Sequence, residues 1–153
     1  MAKRKTLKQD ACPVARGLDV VGDLWSLLIV RDAFDGVRRF SAFQKNLGVA
    51  RNILSDRLHK LVGHGILAVS PASDGTAYGE YVLTAKGQAL FPLLVSLRQW
   101  SEQFLYRAGE PHSTLVRQDT GQPVPKLRLV DDTGRALAPA DTVVRKLPSG
   151  EAA

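Results

Sequence analysis

The stretch from Phe40 to Val62 constrains the fold more than any other part of the chain. Ser41 and Gln44 have capping-box spacing, Ser at the N-cap and Gln three residues on, which predicts a short helix. Leu47-Gly48-Val49 closes that helix in a tight turn, because glycine reaches positive φ without a Cβ penalty. A second helix then starts near Ala50, with Leu54, Leu58, Leu61 and Val62 along one face, and ends at Gly63-His64-Gly65. Its other face carries Arg51, Asn52, Ser55, Asp56 and His59. After Gly65 the period changes to alternation: Ile66 to Ser70, a Pro71–Gly75 turn, then Tyr78 to Leu83 reads as a β-hairpin.

Helices flank this stretch. Pro13 suits a first helical turn, followed by Val14, Leu18 and Val21 at helical spacing. Asp23 is placed to cap a second helix containing Leu24, Trp25, Leu27, Leu28 and Val30, which ends at Asp35-Gly36. A long helix is expected from about Thr84 to Arg107, kinked at Pro92. Its apolar residues Leu90, Leu94, Leu97, Trp100 and Phe104 are assigned to a dimer interface, since few other elements are available to cover them. Beyond Gly109, five prolines interrupt the chain, and Lys126–Val130 and Thr142–Arg145 are strand candidates. The expected organisation is a flexible basic arm over 1–11, a domain over 12–108 and an appendage over 109–153.

Charge is unevenly distributed. The formal net charge is +6, and residues 1–108 hold fifteen Lys/Arg against nine Asp/Glu, whereas 109–153 is neutral. The excess therefore lies where a polyanion would be met. One cysteine, Cys12, excludes an intramolecular disulfide framework and fits a reducing cytoplasm. A basic start without an apolar core is not a secretory signal, and no apolar run is long enough to span a bilayer, so no membrane partner is expected.

Helix, tight turn, helix and hairpin in this order make a winged helix-turn-helix: mainly α, with a β-hairpin wing. The second helix would enter the major groove of double-stranded DNA. Arg51, Asn52 and Ser55 are the base-reading candidates, Arg and Asn being the natural bidentate partners of guanine and adenine. Arg38, Arg39, Lys45, Arg57 and Lys60 are assigned to phosphate contacts that set register. The alternative is a winged-helix protein–protein assembly module without DNA binding, for which Asp56 and Asp74 speak. A thiol enzyme is the remaining rival, but His59, His64 and His112 show no spacing that suggests a dyad with Cys12, and no enzyme activity is expected.

Several segments together resemble the HxlR family, which is related to the MarR-type regulators. They are Cys12-Pro-Val14, Gly22-Asp-Leu-Trp25-Ser-Leu-Leu28, Arg39-Phe40-Ser41, Leu54-Ser-Asp-Arg-Leu58, Gly65-Ile-Leu67 and Glu80-Tyr81-Val-Leu-Thr84. The resemblance covers about residues 12–106. It implies a bacterial transcriptional regulator, more often a repressor, that dimerises through its terminal helices and sets two recognition helices on a near-palindromic operator. The family's usual wing arginine is missing: Ala77-Tyr78-Gly79 stands there, and Asp74 is at the tip. Some relatives sense oxidants through a cysteine at the position of Cys12; a small-molecule effector at the dimer interface is the other candidate signal. Some also carry a cysteine-bearing, zinc-ribbon-like module after the core. Residues 109–153 are similar in length but hold no cysteine, so a Cys-ligated metal is excluded there, and a relic used for packing is expected. No cofactor is called for.

Overall fold

A computed structural model describes residues 6–148. Its contacts divide the chain into two units, Met1–Phe91 and Pro92–Ala153.

In the first unit, α1 (Pro13–Val21), α2 (Leu24–Phe34), α3 (Phe40–Leu47) and α4 (Arg51–Gly63) precede an antiparallel hairpin of β1 (Leu67–Ser70) and β2 (Glu80–Leu83), and α5 (Ala85–Gln88) follows. The architecture is the expected one, mainly helical with a two-stranded wing. The hairpin pairs Leu67 with Leu83 and Ser70 with Glu80, so both strands are shorter than the alternation suggested and Tyr78 lies outside them. Ile29 and Val30 from α2, Phe43 from α3, Leu54, Leu58 and Leu61 from α4, and Ile66 and Leu67 form the buried core. Each such side chain contributes roughly 1.5–3 kcal/mol by leaving water. The rings of Phe43 and Tyr81 meet in a T-shaped arrangement, their centroids 6.4 Å apart.

Asp23 caps α2 as its position predicts, accepting from the amides of Trp25 (3.1 Å) and Ser26 (3.0 Å). The entry to α3 differs from expectation. The helix begins at Phe40 with Arg39 at the N-cap and no side-chain cap, so Ser41 and Gln44 make no capping box. What positions the chain there is a backbone bond from the Tyr81 amide to the Arg38 carbonyl (2.8 Å), which fastens the approach to α3 onto the hairpin. Gly48 ends α3 at φ +60°, as its tight turn requires.

The expected long helix is broken. Pro92 has no amide to donate, and its ring would clash with the carbonyl four residues earlier, which belongs to Gln88. The helix accordingly stops at Gln88 and restarts as α6 (Phe91–Phe104), with Pro92 in the first turn, where a missing donor is harmless. Thr84 caps the short α5 by accepting from Gly87 (3.1 Å). Gly87 also admits the close approach of the residue that precedes β1: a Cβ there would lie 2.2 Å from the Ile66 carbonyl oxygen.

The second unit contains most of α6 and two reversing turns, closed by single bridges between Val116 and Pro123 and between Val130 and Ala136. Neither Lys126–Val130 nor Thr142–Arg145 forms a strand. The first is diverted by side chains of α6: the Leu127 amide donates to Gln99 (2.8 Å), Gln99 donates back to the Pro125 carbonyl (3.1 Å), and Lys126 reaches Gln103 (3.2 Å). Pro123 and Pro125 remove further donors. A 3-10 turn, Pro139–Asp141, ends the regular structure.

Of the basic arm, Lys3, Arg4 and Lys5 lie outside the described residues. Thr6–Asp10 form a turn fastened to α1, where the Leu7 amide donates to Asp19 (3.0 Å). Among the described residues no helix is long and apolar enough to cross a membrane.

Candidate nucleic-acid interface

The two faces of α4 are sharply different. Leu54, Leu58 and Leu61 are buried, whereas Arg51, Asn52, Ser55, Asp56 and His59 are exposed. The three residues read as base contacts occupy the first turn and a half of the helix, and among the described residues none of their side chains is hydrogen-bonded or ion-paired. Arg51 is nevertheless oriented: its guanidinium carbon lies over the ring of Phe40, 5.4 Å from the centroid. A π face attracts the cation without occupying the planar fork of N–H donors. Phe40 thus belongs to the site, although its place in a motif says nothing of a neighbour across the turn.

The cations assigned to phosphates fall into two groups. Lys45 is exposed at the end of α3, and Arg38 is exposed with only a long contact to Glu80 (3.7 Å). Arg57, Lys60 and Arg39 instead have carboxylate partners. Arg57 Nε donates to Asp23 at 2.9 Å and its Nη1 meets Asp56; Lys60 lies 3.8 Å from Asp23. The residue that caps α2 is thus also what α4 is pinned to. Burial opposes the charge on Asp23, but the Ser26 hydroxyl and amide together with Arg57 outweigh it and hold the carboxyl below its ordinary pKa.

Arg39 organises the wing. It contacts Asp74 (2.7 Å), Thr76 (2.9 Å) and Glu80 (3.4 Å). Glu80 is buried and also accepts from the Ser73 hydroxyl at 2.9 Å, the main reason its pKa is lowered. The Thr76 amide and then Arg39 bring Asp74 down to about 2. The acid at the wing tip is therefore internally neutralised. Its partner lies 35 positions earlier in the chain, which is why spacing does not show it.

On α6, Leu97, Trp100 and Phe104 are exposed in one stripe, with Leu93 as a further member, and Leu94 is half-buried; Leu90, half-buried too, lies in the break before the helix. The Trp100 and Phe104 rings touch, with centroids 5.9 Å apart. The C-terminal segment lies along a different face of the helix, through Gln99, Gln103 and Arg98, the last donating to Ser113 (2.9 Å). It leaves the apolar stripe open. Cys12 is exposed at the N-cap of α1, its amide donating to Asp10 (2.8 Å). Among the described residues no group of three or more His, Cys, Asp or Glu is disposed to hold a metal ion.

The profile of HxlR-like helix-turn-helix proteins matches residues 20–108. The chain belongs to this family. An HTH-type transcriptional regulator of Mycobacterium tuberculosis, Rv3095, is 42% identical over 109 residues, covering 71% of this chain and 69% of the relative. The crystal structure of PA1607, described as a transcription factor, superposes with a TM-score of 0.87 at 54% identity, covering 92% of this chain and 98% of that one. The redox regulator HypR in its reduced form matches with a TM-score of 0.55 at 28% identity, over 60% and 92% of the two chains. This HxlR-type protein is therefore a transcriptional regulator with a winged helix-turn-helix, not an enzyme. The family match runs through α6, across the division between the two units.

Proposed function

We propose that the protein is a sequence-specific repressor that binds double-stranded DNA as a homodimer. In each protomer α4 enters a major groove, with Arg51, Asn52 and Ser55 reading base edges and Lys45 and Arg38 contacting phosphates. Two such helices address half-sites about one turn, roughly ten base pairs, apart on a near-palindromic operator. The observation that carries this reading is the first turn of α4: its polar side chains are exposed and, among the described residues, without carboxylate partners, on a helix whose opposite face is locked into the core. Pairing of Asp74 with Arg39 removes one of the two acids that favoured a protein-assembly module.

Fluorescence anisotropy of DNA from the gene's own upstream region tests the proposal. Wild type should bind tightly and lose affinity steeply with added salt as counterions are released. The double variant Arg51→Ala/Asn52→Ala should lose operator preference, each lost bidentate contact costing about 1–3 kcal/mol. A folded dimer that binds no duplex at low salt would overturn it.

Regulation is assigned to the exposed Cys12, by analogy with the redox regulator HypR, in a reducing cytoplasm. A lone thiol would act through a disulfide between chains or with a small thiol. Cys12→Ser should then keep DNA binding and abolish its loss under oxidant; sensitivity unchanged in that variant would overturn the thiol reading, and wild-type binding untouched by oxidant would leave a small-molecule effector as the signal.

A further inference from the structure

The strands of the wing are short, and the segment 71–79 that joins them is too long for a tight hairpin turn to dictate its course. Within it the Gly75 amide donates to the Ala72 carbonyl (3.1 Å) and the Thr76 amide to Asp74 (3.0 Å), bonds that shape the tip without fixing where it points. Ser73 ties the near side to β2 by donating to Glu80 (2.9 Å). Among the described residues, every polar contact that reaches the tip from outside the hairpin comes from Arg39, through Nη2 to Asp74 (2.7 Å) and Nη1 to Thr76 (2.9 Å). Its Nε faces Glu80 at 3.4 Å, so all three guanidinium nitrogens are engaged, and the side chain is only 29% exposed. The residues on either side of Arg39 are anchored as well. The Arg38 carbonyl accepts from the Tyr81 amide of β2 (2.8 Å), and the Phe40 ring lies against the guanidinium of Arg51 in α4.

We propose that Arg39 is a positioning residue for DNA binding: it clasps the wing tip to the start of α3, fixing the wing in relation to the reading helix, and takes no phosphate itself. The inference rests on the DNA-binding reading and divides two adjacent arginines by role. Arg38 is 57% exposed with one long carboxylate contact, and its cation is available to a phosphate. Arg39 differs on two counts. To reach a phosphate it would leave Asp74, and an unpaired carboxylate would then stand on the wing against a polyanion. It would also withdraw from the buried Glu80, and a buried carboxylate stripped of a cation is costly. Arg39 and Asp74 together carry no net charge, so the clasp gives the wing a position without adding to its attraction for DNA.

The test is a salt titration of binding to duplex DNA from the gene's own upstream region, with the full-length wild type, Arg38→Gln, Arg39→Gln, Asp74→Ala and the Arg39→Gln/Asp74→Ala double variant. Each phosphate neutralised adds roughly 0.9 to the slope of log affinity against log salt. Arg38→Gln should therefore lower the slope by about that amount. Arg39→Gln and Asp74→Ala should both weaken binding at least fivefold and keep the wild-type slope, although one removes a cation and the other an acid. The double variant should bind no more weakly than either, since both break one clasp. Opposite effects of the two single variants, a slope reduced in Arg39→Gln, or affinities unchanged in both would overturn the inference and leave the DNA-binding reading standing. Asp74→Ala leaves Glu80 its cations, so it decides the matter if circular dichroism shows Arg39→Gln to be unfolded. A folded wild type that binds no duplex at low salt would overturn the DNA-binding reading, and the inference with it.

Discussion

The two units of this chain are held by different physics. Among the described residues, ten of the eleven buried hydrophobic side chains lie in the first unit, contributed by α1 to α4, the α3–α4 turn and the segment entering the wing. The second unit replaces burial with side chain–backbone bonds at Asp131, Asp141 and Glu110, and leaves its aliphatic residues in water. Apolar burial is non-directional but large, whereas exposed polar turns are directional and worth little net. The first unit thus has the means to hold α4 rigidly before any ligand arrives. The second has definite turns but little to stabilise them alone. In a regulator this division leaves the candidate reading helix held in place by the core of its own unit.

The contrast is broken most directly by cavity substitutions. Leu58→Ala removes a side chain from the centre of the first unit and should cost about 2–5 kcal/mol, read as a drop in the urea midpoint. Leu129→Ala, an exposed position in the second unit, should change the stability of the isolated monomer by less than about 0.5 kcal/mol. Equal costs at the two positions would mean that the second unit has a core after all.

A smaller effect is expected at the junction of α2 and α4. Asp23→Ala removes the cap of α2 and the partner of Arg57 at once, with a loss of about 1–2 kcal/mol. Arg57→Ala, which spares the cap, should cost less. If the two substitutions cost the same, the ion pair and not the cap carries the effect.

Much of the first unit was legible because its signals are local. The cap at Asp23, the glycine turn at Gly48 and the buried Leu54, Leu58 and Leu61 all follow from spacing along the chain. What was not legible depends on partners remote in sequence. The Ser41 and Gln44 pattern was overridden because the Arg38 carbonyl is taken by Tyr81, and Arg39 turned inward to Asp74 and Glu80. The apolar period continues past Pro92 and so predicts one kinked helix, although a first-turn position in a new helix satisfies the same pattern. In the second unit Lys126–Val130 alternates like a strand, but nothing in the alternation announces that Gln99 will take its hydrogen bonds.

The ion-paired wing makes the comparison depend on pH. Asp23, Asp74 and Glu80 all have lowered pKa values in the folded chain. Their contribution to stability is therefore complete above the ordinary carboxylate range near pH 4. It is lost as pH falls through the folded values, which for Asp74 means about 2. Urea midpoints of the first unit should fall between pH 5 and pH 2, and Asp74→Asn should flatten that decline in part. Asp119 and Asp131 are lowered too, in the second unit, but they sit in exposed turns whose loss should scarcely move the global midpoint. A decline abolished by Asp131→Asn and untouched by Asp74→Asn would reverse the assignment of the two units.

The smallest predicted effect is the most specific. Phe40 holds the Arg51 cation by its ring face, so Phe40→Leu keeps an apolar side chain and removes the π system. Exposed cation–π contacts are worth about 0.5–1 kcal/mol, so operator affinity should fall two- to fivefold through a less ordered Arg51. A general weakening of α3 would produce a similar fall, and a double-mutant cycle separates the two causes. In the Arg51→Ala background Phe40→Leu should cost nothing further, and Phe40→Tyr, which retains a ring, should behave as wild type. If Phe40→Leu weakens binding equally with and without Arg51, the ring serves the packing of α3 alone, and Arg51 reaches DNA without being positioned beforehand.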